Sequence, residues 1–334
     1  MIPLSRINVQ NKSWQQQLAQ AVTDPAELCS ILGIPAESVA RSGAASNFTL
    51  KVTRDYLECI KKGDTSDPLL RQVLPVNEEN QHEPGFIFDP VGDLEATAAG
   101  GLIHKYHGRV LLITTPACAI HCRYCFRRHY PYSDASAHGT RLDAALDYIS
   151  QNTDINEVIL SGGDPLSLSD IQLAGLVKKI EAIRHVDTLR IHTRLPVVLP
   201  ARLTDEFLDL LESSRLQSVL VSHCNHPNEL SDKVIAGFVR AAGRRISLLN
   251  QSVLLAGVND DSNTLTKLSR KLFSAGILPY YLHMLDPVAG AAHFSVDTEK
   301  AVQLHETLKK SLSGFLVPKL VREIPKSAYK KTIG

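Results

Sequence analysis

Three cysteines in the stretch CAIHCRYCFRR stand at C-x3-C-x2-C, at Cys118, Cys122 and Cys125. They follow a strand-like run, Val110 to Thr114, and so occupy the loop where a strand ends. Three thiolates can bind three irons of a cubane cluster and leave the fourth iron open to an outside ligand. A structural zinc site wants four protein ligands, and a disulfide framework wants an even count of cysteines. The competing reading of the spacing is three buried thiols in an ordinary turn. Cys29 and Cys59 lie in helix-like patterns and read as core thiols. Cys224, although beside His223, lacks ligand spacing and reads as a packed thiol.

Other residues fall where chemistry could be done. In Ser161-Gly162-Gly163-Asp164-Pro165 two glycines stand where a strand turns into a loop, which lets backbone approach a ligand closely. Asp164 can instead cap the following segment. Arg127 and Arg128 follow the cysteines directly; they are either a solvated basic turn or a guanidinium placed to grip a carboxylate. Lys105 with Arg194 could neutralise a cofactor phosphate, and Tyr106 could face an aromatic ring. Asp286 and Glu323 either cap and solvate or form a carboxylate pair for a substrate ammonium. Lys326, Lys330 and Lys331 read by composition as a basic tail.

These residues need elements to position them. Strand candidates are 110–114, 157–160, 188–192, 218–222, 246–251 and 279–283, with amphipathic stretches at 169–184, 204–212, 229–242, 261–275 and 298–312 between them. Regular alternation predicts a parallel sheet with helical crossovers. Six units suit a partial (β/α)6 barrel, with an open doubly wound sheet as the other solution. Polar residues recur at the same end of each strand: the cysteine loop, Ser161 to Asp164, His192 to Arg194, His223 with Asn225 and His226, Asn250 with Gln251, and His283 with Asp286. In such barrels that end carries the working groups, so the pattern predicts one shared pocket. The first hundred residues read as a helical cap, with helices at 14–22, from Asp24-Pro25, at 54–62 and from Asp67-Pro68.

Composition narrows the classes. A formal net charge of +1 and no basic arm with interleaved aromatics give no reason to expect nucleic acid. The N-terminal stretch has no signal-peptide core, and no apolar run approaches the ~20 residues that span a bilayer. The cytoplasm is the expected location, and cysteines there read as ligands before disulfides.

The cysteine spacing, with Tyr124 before the last cysteine, resembles the radical S-adenosylmethionine signature, in which the open iron chelates the amino and carboxylate groups of that cofactor. Ser161 to Asp164 resembles the GGDP-type element of the same enzymes. More widely, HKY, CAIHCRYCFRR, SGGDPL, RIHTRLPVVLP, NHPNE, PYYLH and LVRE resemble the lysine 2,3-aminomutase family. The compact cap and short C-terminus are similar to the branch that makes (R)-β-lysine for modifying elongation factor P.

The resemblance implies an isomerase built as a radical SAM partial barrel (101–314) with a helical cap (1–100) and a C-terminal segment (315–334). It implies a [4Fe-4S] cluster, S-adenosylmethionine and pyridoxal 5′-phosphate as cofactors, and free L-lysine as substrate. Implied partners are a flavodoxin- or ferredoxin-type reductant and an elongation factor P ligase that receives the product. By resemblance, Cys118, Cys122 and Cys125 hold the cluster, and Ser161, Gly162, Gly163 and Asp164 contact S-adenosylmethionine. Arg127 holds the substrate carboxylate, while Asp286 and Glu323 bind its remote ammonium. Lys105, Tyr106, Arg194 and Gln251 surround the pyridoxal phosphate. Lys330, seven residues after Glu323, matches the Schiff-base lysine, with Lys331 of the Lys-Thr pair as the alternative. His283 stands where longer relatives carry tyrosine. A sibling aminomutase acting on another amino acid, or an iron–sulfur redox or binding protein, are the competing functions.

Overall fold

The structure, a computed structural model, describes residues 13–39 and 48–333, so part of the expected cap (1–12 and 40–47) lies outside the described residues. The cap contributes four short helices, α1 (Trp14–Leu18), α2 (Pro25–Leu32), α3 (Arg54–Leu57) and α4 (Pro68–Arg71). Strands follow: β1 (Thr97–Ala99), β2 (Leu102–Tyr106), β3 (Arg109–Thr115), β4 (Glu157–Gly162), β5 (Thr188–Thr193), β6 (Gln217–Ser222), β7 (Ile246–Val253), β8 (Leu278–His283), β9 (Lys319–Arg322) and β10 (Lys331–Thr332). Between β3 and β4 lie α5 (Tyr132–Ala135) and α6 (Thr140–Gln151), and α7 (Asp170–Glu181) crosses from β4 to β5. The later crossovers are α8 (Leu195–Val198) with α9 (Asp205–Ser213), then α10 (Asp232–Ala242), α11 (Ser262–Ser274) and α12 (Thr298–Ser311).

Local chemistry sets these boundaries. Ser169, Thr204, Ser231 and Asp261 each accept a backbone N–H at the start of a crossover helix, satisfying a donor the helix leaves free. Strands such as β4, with Val158, Ile159 and Leu160 all buried, are covered on both faces, as a parallel sheet between helices requires.

All ten strands join one sheet in chain order. Parallel pairings link β3 through β9, while β1, β2 and β10 pair antiparallel at the edges. No pairing joins β1 to β10 among the described residues, so the sheet stays open. It is nevertheless curled. At about 4.8 Å per strand, β2 and β9 would lie about 34 Å apart in a flat sheet. Lys105 on β2 lies 3.3 Å from Glu323, the residue that follows β9. That contact makes the wall a partial barrel. A doubly wound sheet would reverse its strand order; this one does not.

The six expected parallel strands are present, but β1, β2, β9, β10 and α6 were not expected. The cap helices are also shorter than their patterns suggest. The first ends at Leu18, with Trp14 its one buried residue, and the third ends at Leu57, where Cys59 N and Ile60 N donate three residues back to Tyr56 O and Leu57 O in a turn.

Cap and barrel share one apolar core, in which Trp14, Val22, Leu28, Leu57 and Leu70 of the cap join Leu160, Leu195 and Val198. A buried ionic staple adds direction. Glu79 of the cap accepts from Arg123 Nε at 2.8 Å and from Arg128 Nη2 at 2.6 Å, one arginine on each side of Cys125. Arg123 is 0% exposed. Burial pushes the Glu79 carboxyl up, yet the two arginines hold it below the usual carboxylate range. Removing one member of such a group leaves uncompensated buried charge. Glu79→Gln is therefore expected to lower unfolding free energy by about 3–5 kcal/mol, read from urea denaturation. An unchanged midpoint would show that the cap is held by apolar packing alone.

Candidate active site

A cavity of about 690 Å³ extends from inside the curled sheet to the C-terminal ends of the strands, and it is lined by the cysteine loop together with residues of β2, β3, β4, β5, β7, β8 and β9. Most of the polar strand ends thus meet in one space, but Asn250 and His226 do not line it: the Asn250 amide is bonded to Ser222, Cys224 and Ser252, and His226 Nδ1 accepts from Asn228 N.

The cysteine loop forms one wall. Cys118, Cys122 and Cys125 are free thiols that all line the cavity. Burial, then Cys122, pushes the Cys125 thiol up to about 11, and burial with Asp164 and the other two cysteines raises Cys118. Such thiols are poor thiolates alone and lose their protons readily to a bound cation. Among the described residues, no three histidine, cysteine or acidic side chains converge as a single-ion site. A cubane takes each thiolate on a different iron, so this donor set fits a cluster without converging on a point.

Gly162 and Gly163 serve that loop directly. A Cβ on Gly163 would lie 2.4 Å from the Ala117 carbonyl, and one on Gly162 would lie 2.7 Å from that of Thr115. The atoms that demand glycine here belong to the lead-in to Cys118. Gly163 N donates to Thr115 O and Asp164 N to Ala117 O, each at 2.7 Å. The Asp164 carboxylate accepts from Leu166 N, Thr193 Oγ1, Arg194 N and Leu195 N, knitting the ends of β4 and β5 together. Its capping role is therefore present.

Across the cavity runs a line of alternating charge. Arg127 Nε donates to Asp93 Oδ2 at 2.7 Å, and Asp93 Oδ1 pairs with Lys105 Nζ at 2.6 Å. Lys105 continues to Glu323 Oε1, and Glu323 Oε2 takes Lys330 Nζ. Burial pulls Glu323 up, but Lys330 and Lys105 hold it down to about 2. Tyr106 also hydrogen-bonds Glu323. Lys330 lines the cavity, whereas the Lys331 ammonium lies over the Tyr329 ring, 4.3 Å from its centroid.

Asp286 is different. It lines the same cavity with no ion pair or side-chain hydrogen bond among the described residues, and burial followed by repulsion from Glu323 pushes it up to about 7. Nearby, Gln251 Nε2 meets His223 Nε2 at 2.7 Å. The Nε2 atoms of His192 and His283 are buried without partners. Burial lowers all three histidines, His223 to about 3, so this wall is neutral. The two orphaned nitrogens mark where a polar ligand would complete the hydrogen bonding.

Arg194, expected near a phosphate, is already engaged. Its guanidinium donates to Cys122 Sγ at 3.0 Å, to Gln72 Oε1 at 2.8 Å and to Glu229 Oε2 at 2.8 Å, and it also contacts the Tyr124 hydroxyl. It sits under the cysteine loop. Arg109 lines the cavity as Arg194 does, but with no ion pair among the described residues, its Cζ 4.8 Å from the Tyr106 ring centroid. Sequence reasoning missed Arg109 and Asp93. Arg109 stands one residue before the assigned strand 110–114, and Asp93 lies in a cap loop that carries no motif of its own.

With this geometry in place, the comparisons are specific. Residues 112–264 match the Radical SAM superfamily. The L-lysine 2,3-aminomutase of Haemophilus influenzae is 45% identical over 325 residues, covering 97% of this chain and 96% of that one. That of Escherichia coli is 45% identical over 94% of this chain and 92% of its own length. The Clostridium subterminale enzyme is 34% identical, with 93% of this chain and 75% of its own covered. The chain is a radical SAM protein. Within that class it belongs to the L-lysine 2,3-aminomutase family, a family of isomerases.

Two outcomes follow from the geometry. Gly163→Ala is expected to lose iron on reconstitution, since the added Cβ collides with backbone that cannot swing away; wild-type iron and sulfide content would contradict that. Asp286 keeps its proton to about pH 7 when folded but only to about pH 4 when unfolded. Folding therefore takes up a proton between those values, and Asp286 costs stability increasingly as pH rises from about 4 to 7. Asp286→Asn should match wild type below about pH 4 and exceed it above about pH 7 in denaturant melts. A constant difference across pH would refute the assignment.

Proposed function

We propose that the chain converts L-lysine to (R)-β-lysine by a radical 1,2-amino shift dependent on pyridoxal phosphate. The observation that carries this is the cavity's polarity. Arg127 supplies a fixed cation at the cluster wall, while Asp286 and Glu323 supply two acids for an ammonium in the same enclosure. A substrate with a carboxylate at one end and an ammonium at the other suits that arrangement. Glutamate would bring a second carboxylate against Asp286 and Glu323, which disfavours the sibling reaction. A redox sensor explains the cysteines and leaves the acids, Arg127 and Lys330 without a task.

When bound, the cluster with S-adenosylmethionine supplies a hydrogen-abstracting radical, and pyridoxal phosphate supplies the delocalised ring that lets an amino group migrate. The chain's residues do the rest by position. Cys118, Cys122 and Cys125 would hold the cluster, with Ser161 to Asp164 beside the S-adenosylmethionine. Lys330 Nζ would hold the pyridoxal aldehyde, and unpaired Arg109, with Lys105, Tyr106 and Gln251 in the same cavity, suits its phosphate and ring. Arg127 Nη2, without a partner among the described residues, faces the substrate carboxylate. Asp286 takes the remote ammonium when ionised, releasing its proton as lysine binds. The wall of neutral histidines adds no competing charge.

Identity of 45% to the Haemophilus and Escherichia enzymes, against 34% to the Clostridium one, supports placing the chain in their branch. On that basis we place the product with an elongation factor P ligase, with a flavodoxin- or ferredoxin-type donor as reductant and the cytoplasm as the location. No described helix is long and apolar enough to cross a membrane.

The test is anaerobic. Reconstituted protein given L-lysine, S-adenosylmethionine, pyridoxal phosphate and a strong reductant should form β-lysine only when every component is present. Lys330→Met should lose bound pyridoxal absorbance and Lys331→Met should keep it. 5′-Deoxyadenosine without β-lysine would mean another substrate, and the reverse pattern for the two lysines would move the cofactor to Lys331.

A further inference from the structure

We infer that Asp93 is a positioning residue that aims Arg127 at the substrate carboxylate. The inference rests on the reading of Arg127 given above. Asp93 is 2% exposed and divides its oxygens between two cations, Oδ2 to Arg127 Nε and Oδ1 to Lys105 Nζ. Arg127 Nη1 donates to Ser161 Oγ at 3.0 Å. The guanidinium is thus held at two of its three nitrogens, which stops rotation of its plane and leaves Nη2 as the open donor. A free arginine offers two bidentate edges; this one presents a single chosen direction.

The loop that carries Asp93 is built for the task. Both Asp89 oxygens accept backbone N–H groups, from Asp93 and Leu94, each at 3.0 Å. Thr97 Oγ1 donates to the Asp93 carbonyl at 3.1 Å. Gly92, at φ +67°, turns the chain beneath Pro325. A purely structural ion pair would have no reason to face the cavity. The cap already has such a pair in Glu79, which clamps Arg123 and Arg128 and does not line the cavity, whereas Asp93 does.

Asp93 also sets how much charge reaches each end. It offsets Lys105, which would otherwise turn wholly to Glu323, 3.3 Å away. Without Asp93, Arg127 and Lys105 would repel each other, and the guanidinium would lose its Nε anchor. Reading a carboxylate by hydrogen bonds depends on donor geometry more than on charge, so the loss of aim outweighs the cation released.

The discriminating ligand is L-lysine amide, which has the side chain and α-amine of lysine but no carboxylate. Full-length protein, reconstituted with cluster and pyridoxal phosphate but without S-adenosylmethionine so that no turnover occurs, is equilibrated with each ligand by dialysis. Wild type should bind lysine about tenfold or more tightly than the amide. Asp93→Asn should reduce that ratio by about fivefold or more, through weaker lysine binding with the amide unchanged. Equal weakening of both ligands would make Asp93 merely structural and overturn the proposal, as would an unchanged ratio. If Asp93→Asn does not fold, Ser161→Ala removes the other anchor and should lower the same ratio; no change there would equally count against it. A wild type that binds both ligands alike would remove the Arg127 reading itself, and this inference with it.

Discussion

An ionic contact, not a hydrogen-bond ladder, brings the two sides of this open sheet together. Lys105 on β2 reaches Glu323 after β9, and no strand pairing spans that gap among the described residues. A closed barrel fixes its shape by backbone bonds all round. Here the gap lies where the working groups are, and side chains of opposite charge set its width. Asp93 from the cap, Arg127 from the cysteine loop and Lys330 from the terminal hairpin extend the same line, so four separate stretches of chain meet at one row of charges.

Such a row is a poor investment in stability. Desolvating the groups costs about as much as their attraction returns, and fully apolar replacements often do better. Its retention makes sense in a cavity that must receive a ligand with charges at both ends. Stability comes from the continuous apolar core under the sheet and cap, while the charged row defines which ends of a guest meet which residues. Asp286, left outside the row and close to neutral pH, is the group whose state a cationic guest would change most.

Much of this was legible in the sequence, for identifiable reasons. The six buried strands have apolar runs long enough to register, and parallel topology follows from their alternation with helices. The cysteine spacing and the polar strand ends point to a single pocket because chain direction fixes which strand ends lie together. What escaped was short, relational or weakly patterned: of the twelve residues of α6 only Ala145 and Ile149 are buried. β9 and β10 have four and two residues, too few for any period. Asp93 carries no motif, and its importance appears only when two cations from distant segments close on it. Arg194 looked free for a phosphate because Glu229, its counter-charge, lies 35 residues later. The glycines of the β4 turn were read as allowing a close backbone approach, and the approach the structure shows is that of the Thr115 and Ala117 carbonyls.

The terminal hairpin pairs Lys331 with Arg322 and Thr332 with Val321, and on it Lys330 and Lys331 point to different surroundings. Neighbouring residues on an extended strand face opposite ways. The span between Glu323 and the second arm of the hairpin is therefore constrained in parity. Losing one residue from that turn, with the ladder kept, would present the neighbouring lysine to the cavity and send Lys330 outward. The chain would still offer an amine of identical chemistry from a shifted backbone position. Loss of two residues would keep Lys330 facing the cavity but displace it by one strand repeat from its present position. Two adjacent lysines thus give this short segment a tolerance to slippage that a single lysine would lack.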